Sequence, residues 1–152
     1  MAYRNPSKPL ERVLVPVCGN SADAIALRLA CDIARKSKAK VFAIFVIEVR
    51  RALALDADLP PEVQRGEDVL QQAERISKDL DYAVETELLQ AREVGVAIVD
   101  EASERGVDLI IMGLRYKRRF GAFTLGNTVP YVLKNAPCEV WVCRESEGPG
   151  AD

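Results

Sequence analysis

Residues Val107 to Thr128 read VDLIIMGLRYKRRFGAFTLGNT, and the fold turns on this stretch. It opens with Leu109-Ile110-Ile111-Met112, a short run of large apolar residues stopped by Gly113. A run of that length and branching predicts a strand buried on both faces. A basic loop follows, Arg115-Tyr116-Lys117-Arg118-Arg119, punctuated further on by Gly121 and Gly126. Asn127 and Thr128 then stand where they can cap a helix from about Val129. Strand, glycine loop and helix start, in that order, make a natural anion site. Glycine lets the backbone approach a ligand, and the unpaired N–H groups of a helix start point at it.

The rest of the chain repeats this alternation. Arg12-Val13-Leu14-Val15-Pro16-Val17 predicts a first buried strand, with Pro16 near its end because it has no N–H for the ladder. Cys18-Gly19-Asn20-Ser21 reads as a turn, with Asn20 or Ser21 as N-cap of a first helix running to about Lys36. Its apolar stripe is expected from Ala22, Ile25, Leu29 and Ile33, with Ala26 and Ala30 beside it. Val41 to Ile47 is apolar throughout and predicts a second, fully covered strand. Residues 49–60 read as a loop with a helical turn. Pro60-Pro61 opens a second helix with Val63, Leu70, Ala73, Ile76 and Leu80 inward, its first half weakened by Gly66. Val84, Thr86 and Leu88 alternate with Glu85 and Glu87, as in a half-exposed edge strand. Gly95 breaks the chain before a third helix from about Val96 to Arg105. Ile98, Val99 and Ala102 face inward there, Glu101 pairs with Arg105, and Gly106 closes the end. A short helix closed by Asn135 and Pro137, then a fifth strand over Cys138–Cys143, complete the order. Strands alternating with helices imply βαβ units and a parallel sheet, here an α/β three-layer sandwich of five strands and about four helices.

Composition narrows the function. The chain has 152 residues, 49% apolar and 29% charged, with a net charge of −2. Such a balance describes one soluble domain with no global pull toward nucleic acid or membrane. The absence of histidine excludes a Ser-His-Asp triad, a histidine base and any histidine-ligated metal. No CxxC occurs among Cys18, Cys31, Cys138 and Cys143, so a zinc site or disulfide framework is not expected and the spacing suits a reducing cytosol. The N-terminus is polar rather than signal-like. Residues 1–11 read as a disordered leader, 12–144 as the domain and 145–152 as a disordered tail. Cys18 reads either as a thiol activated by the following helix start or as a small buried residue. Cys31 and Cys143 read as core. Trp141 reads as core or as an anchor at a dimer interface.

From Arg12 to Arg144 the chain resembles the universal stress protein family. VLVPVCGNS looks like that family's first strand and turn, FVIEV like the end of its second strand, and VDLIIMG with the glycine loop and APCEVWV like its last third. The resemblance implies strand order 3-2-1-4-5, an adenine nucleotide alpha hydrolase-like fold, and a crevice at the carboxyl ends of strands one and four. Nucleotide-binding members carry G-x2-G-x9-G-[S/T] after strand four; here the same spacing reads Gly113-x2-Tyr116-x9-Gly126-Asn127. It implies Pro16, Val46 and Met112 around an adenine and its ribose, with Gly113 and Gly126 on ribose and phosphates. Arg115, Asn127 and Thr128 complete the expected nucleotide set, and the ligand implied is ATP or another adenine nucleotide. Cysteine stands at position 18 where an aspartate is usual. Tyr116 stands in place of a glycine, either narrowing the site or stacking on a base. The resemblance further implies a cytoplasmic homodimer paired through the strand 138–143. The alternative is an interaction module without nucleotide, in contact with a partner such as a transporter. Neither an enzyme nor a nucleic-acid binder is expected: no Walker lysine is present, and the basic residues form one patch on an acidic chain.

Overall fold

A computed structural model describes residues 8–116 and 125–146. Five strands and four helices alternate: β1 (Arg12–Pro16), α1 (Ala22–Ala34), β2 (Lys40–Glu48), α2 (Pro60–Asp79), β3 (Val84–Ala91), α3 (Val94–Arg105), β4 (Leu109–Leu114), α4 (Thr128–Asn135) and β5 (Glu139–Arg144). All neighbouring strands pair in parallel, in the order β3-β2-β1-β4-β5. The α/β sandwich and its strand order are those expected.

The sheet has two apolar faces because its central strands are apolar between their charged ends. Along β2, Val41, Ala43, Phe45 and Ile47 point to one side, while Phe42 and Ile44 point to the other. The first side is covered by α1 and α2 through Ala26, Leu27, Ala30, Leu70 and Ala73. The second is covered by α3 and α4 through Ile98, Ala102, Val129 and Val132. β3 is an edge strand, and its exposed Glu85 and Glu87 alternate with half-buried neighbours. Period-two burial on such a strand follows from one face packing while the other meets water. Cys138 and Cys143 fall on opposite sides of the sheet, as their spacing implied, and Cys31 is fully buried.

Three glycines play parts other than those expected. Gly66 was read as a weakness in α2, yet it is buried, and a Cβ there would lie 2.4 Å from Leu88 and 2.8 Å from Phe45. Its missing side chain lets α2 settle onto β2 and β3. Gly95 does not break the chain: α3 starts at Val94, and Gly95 packs against the Tyr131 ring of α4. Gly113 does not stop its strand either, since β4 continues to Leu114 and Gly113 pairs with Cys143.

The buried face of α1 is also rotated from the expected stripe. It comprises Ala22, Ala26, Leu27, Ala30, Cys31 and Ala34; Ile25 is 40% exposed, and Leu29 and Ile33 lie at the margin. Small residues win the sheet-facing positions because the helix comes too close for branched ones: a Cβ on Gly113 would lie 2.3 Å from the Ala22 carbonyl oxygen.

Packed chain extends past both ends of the Arg12–Arg144 span. Leu10 packs on the first core cluster, and the Glu11 N–H donates to Asp108 at 2.8 Å. Beyond β5, the Glu145 N–H donates to the Leu114 carbonyl at 2.8 Å. Leu10, Glu11 and Glu145 thus belong with the folded body rather than with the expected leader and tail. Residues 1–7 and 147–152 lie outside the described residues. On α3, Arg105 pairs with Glu101 at 2.8 Å, as read, and also with Glu87 of β3. Among the described residues no helix is long and apolar enough to cross a membrane.

Candidate functional site

The site begins where β1 leaves β4. β1 pairs with β2 along its whole length, to Pro16↔Ile44, but with β4 only at Val13↔Leu109 and Leu14↔Ile110. The Val17 N–H then donates to Ile44 of β2 at 2.9 Å. Strand alternation therefore turns the donorless Pro16 nitrogen toward β4, on the side where pairing has ceased. Beyond Leu14 the two strands diverge, and a hollow of about 450 Å³ opens over their carboxyl ends. That volume lies within the range of about 300–1,000 Å³ typical of small-molecule sites.

Of the eight residues expected around a nucleotide, seven line this hollow: Pro16, Val46, Met112, Gly113, Arg115, Gly126 and Thr128. Asn127 does not. It is the N-cap of α4, with helical backbone angles (φ −99°, ψ −30°), and its side chain makes no capping bond. With the cap residue itself wound into the helix, its side chain is displaced from the amides it was expected to serve. Lys117, Arg118, Arg119 and Gly121 of the basic loop lie outside the described residues.

The two glycines of the hollow differ in kind. Gly126 has φ +70° and open space where a Cβ would go, so a ligand can approach its backbone. Gly113 is small for the sake of α1, whose Ala22 carbonyl occupies the space a side chain needs. Tyr116 neither narrows the hollow nor faces a base within it. Its ring lies 4.7 Å from the Arg144 guanidinium and is absent from the lining.

Sequence reading missed two residues that hold the β1–α1 loop. Asp23, in the first turn of α1, accepts the Gly19 N–H at 2.7 Å and the Cys18 N–H at 3.1 Å. Its carboxylate thus fills an amide cradle otherwise open to an anion. Burial raises the Asp23 pKa, against the lowering effect of those amides. An Asp just after a turn was the available signal. Arg65 of α2 donates to the Cys18 carbonyl at 3.1 Å, stands over the Phe45 ring at 5.5 Å and lines the hollow. It lies 47 residues beyond Cys18, and its reach depends on the close seat of α2 at Gly66, so no local pattern marks it.

Cys18 is neither the small buried residue expected, being exposed, nor an activated thiol. Desolvation of the thiol pushes its pKa up, and the Asp23 carboxylate adds to this; the nearby Arg65 only partly offsets them. The sulfur accepts a hydrogen bond from Asn20 Nδ2 at 2.9 Å. The charged side chains lining the hollow among the described residues are two cations, Arg65 and Arg115. Apolar walls from Ile44, Val46, Val94, Ile98, Met112 and Val129 suit a flat, largely apolar group. No group of His, Cys, Asp and Glu among the described residues could hold a metal ion.

Fold and hollow together define a doubly wound α/β domain with a ligand-sized crevice at its topological switch point. The chain belongs to the universal stress protein family, whose model matches residues 9–144. It is 27% identical over 148 residues to a universal stress protein of Methanocaldococcus jannaschii, covering 93% of this chain and 86% of that one. A universal stress protein of Archaeoglobus fulgidus superposes with a TM-score of 0.74 at 20% identity, covering 87% of this chain and 97% of the other. A family protein of Arabidopsis thaliana, solved with AMP bound, superposes with a TM-score of 0.66 at 15% identity, covering 92% and 96%. Family structures solved with cAMP and with dAMP share the fold as well.

Proposed function

We propose that this protein binds an adenine nucleotide, ATP or a relative of it, in the hollow at the β1/β4 fork and acts as a cytoplasmic regulatory homodimer. One observation carries the reading: the ends of β1, β2 and β4 and the starts of α3 and α4 converge on a single hollow whose charged lining, among the described residues, is cationic. The apolar walls suit the base. Arg115, the Gly126 backbone and Thr128 suit phosphates, as charge-assisted donors and helix-start amides do. Solved relatives with AMP, cAMP and dAMP support the ligand class. Pairing through β5, an edge strand carrying the half-buried Trp141, is proposed for the dimer.

The protein is proposed to hold its nucleotide without rapid turnover. Histidine is absent from the chain, and no carboxylate is among the described residues lining the hollow, so no acid–base pair faces the ligand. Calorimetric titration with ATP, AMP and cAMP tests the reading. Saturable binding by the folded protein is expected, weakened in Arg115→Ala for the phosphate-rich ligands. An absence of binding at millimolar nucleotide refutes it. A second reading, an interaction module without nucleotide that contacts a partner such as a transporter, is favoured by Asp23, which occupies the Cys18 and Gly19 amides from within.

A further inference from the structure

Glu145 is the first residue past β5, and its carboxylate ties the start of α1 to the end of β4. Its Oε2 accepts the Ser21 hydroxyl at 2.6 Å, at the start of α1. Its Oε1 accepts the Tyr116 N–H at 3.1 Å, just past β4, and lies 4.0 Å from Arg115 Nε. Its own N–H donates to the Leu114 carbonyl at 2.8 Å, which carries the β4–β5 ladder one step further. The side chain is only 18% exposed. The preceding residue, Arg144, stacks its guanidinium on the Tyr116 ring at 4.7 Å.

We propose that Glu145 is the positioning residue that sets Arg115 at the rim of the hollow for an anionic ligand. The proposal rests on the nucleotide reading above and deepens it. Arg115 lies between Leu114, whose carbonyl is held, and Tyr116, whose N–H is held, and both partners belong to Glu145. With its two flanking peptide groups fixed, the Arg115 Cα–Cβ bond is set, its Nε lies 4.0 Å from the Glu145 carboxylate, and the residue lines the hollow. Arg144 keeps the Tyr116 ring on the outside of the same turn. Each carboxylate oxygen has its own donor from a different segment, so the group cannot rotate without losing one. A ligand phosphate then meets an arginine already in place, with less side-chain ordering left to do on binding.

The carboxylate charge itself opposes an anion, so charge and geometry must be separated. Glu145→Gln and Glu145→Ala both remove the charge, but only glutamine keeps an oxygen for the Tyr116 N–H. Calorimetric titration of each with ATP and with adenosine is the test, alongside hydrogen exchange of the Tyr116 amide. E145A is expected to bind ATP about five- to tenfold more weakly than E145Q, the equivalent of one hydrogen bond. Adenosine affinity should match in the two, and the Tyr116 amide should stay protected in E145Q and exchange freely in E145A. Equal ATP affinities in the two variants overturn the proposal, even if exchange differs, because Glu145 is then structural only. If E145A does not fold, Glu145→Asp replaces it, compared with wild type at equal charge; unchanged ATP affinity in E145D overturns the proposal. Should the wild-type protein bind neither nucleotide nor nucleoside, the ligand reading fails and the positioning proposal falls with it; binding by wild type with equal affinities in the variants overturns the positioning proposal alone.

Discussion

Replacing Gly113 with alanine separates scaffold from ligand contact. The added Cβ would lie 2.3 Å from the Ala22 carbonyl oxygen, 2.8 Å from its carbonyl carbon and 3.0 Å from its Cβ. Two of these are backbone atoms in the first turn of α1, so no side-chain rotation relieves the clash. The first turn of α1 must move off the sheet. Overpacking of this kind destabilises by about 1–3 kcal/mol. The upper part of that range applies, since the obstacle is backbone. Reduced freedom in the unfolded chain returns about 0.4–1 kcal/mol. The net expectation is a loss of about 2 kcal/mol, or roughly 4–8 °C in Tm for a domain of this size. Urea unfolding followed by circular dichroism measures it. Gly126→Ala is the control, since its Cβ meets nothing within 4 Å. Its cost is conformational, about 1–2 kcal/mol for alanine at φ +70°. If G113A is as stable as wild type, α1 does not seat on β4 as described. If it loses only nucleotide affinity, Gly113 serves the ligand rather than the helix.

Ile110→Ala, at a fully buried position of the second core cluster, should lower stability by about 3 kcal/mol, and a loss below 1 kcal/mol in the same urea assay would show that site to be looser than the structure has it. The raised pKa of Asp23 means that the native state holds more protons than the unfolded state between the ordinary value of 3.8 and the native one. Stability from this group is therefore full below that window and lost as pH rises through it. Glu101, raised by burial and by Glu104 and Asp100, acts in the same direction. Asp23→Asn should flatten the decline of unfolding free energy with pH across the window; an unchanged slope contradicts the assignment. Burial, with Asp108 nearby, pushes the Cys138 thiol up to about 11, leaving ~0.1% thiolate at pH 8. Native protein treated with iodoacetamide should keep Cys138 unmodified, by mass spectrometry, for far longer than unfolded protein does; rapid native labelling would rule this out.

Much of the site was readable because it lies at strand ends, and strand ends are marked locally. Pro16, Val46, Met112 and Gly126 stand at the ends of strands and turns that the sequence marks, the family resemblance assigned them to the ligand, and all four line the hollow. Glycines misled wherever the reason for their smallness lay elsewhere in space. Gly66 reads as a weak point and Gly95 and Gly113 as breaks, yet each sits inside an element because another element presses on it. Helical periodicity likewise named an apolar stripe on α1 without telling which flank faces the sheet. The bulkier Ile25 lost that place to alanines once β4 came within touching distance.

The sequence by itself determined the alternation of strands and helices, the double coverage of β2 and the place of the hollow, since apolar runs and turn residues are written in consecutive positions. Tertiary structure alone decided what faces the hollow from a distance. Arg65 arrives from α2, and Glu145 holds Arg115 from the far end of the chain. Those two placements depend on how closely helices seat on the sheet and where strands part. Both are set by contacts among residues tens of positions apart, which no local pattern encodes.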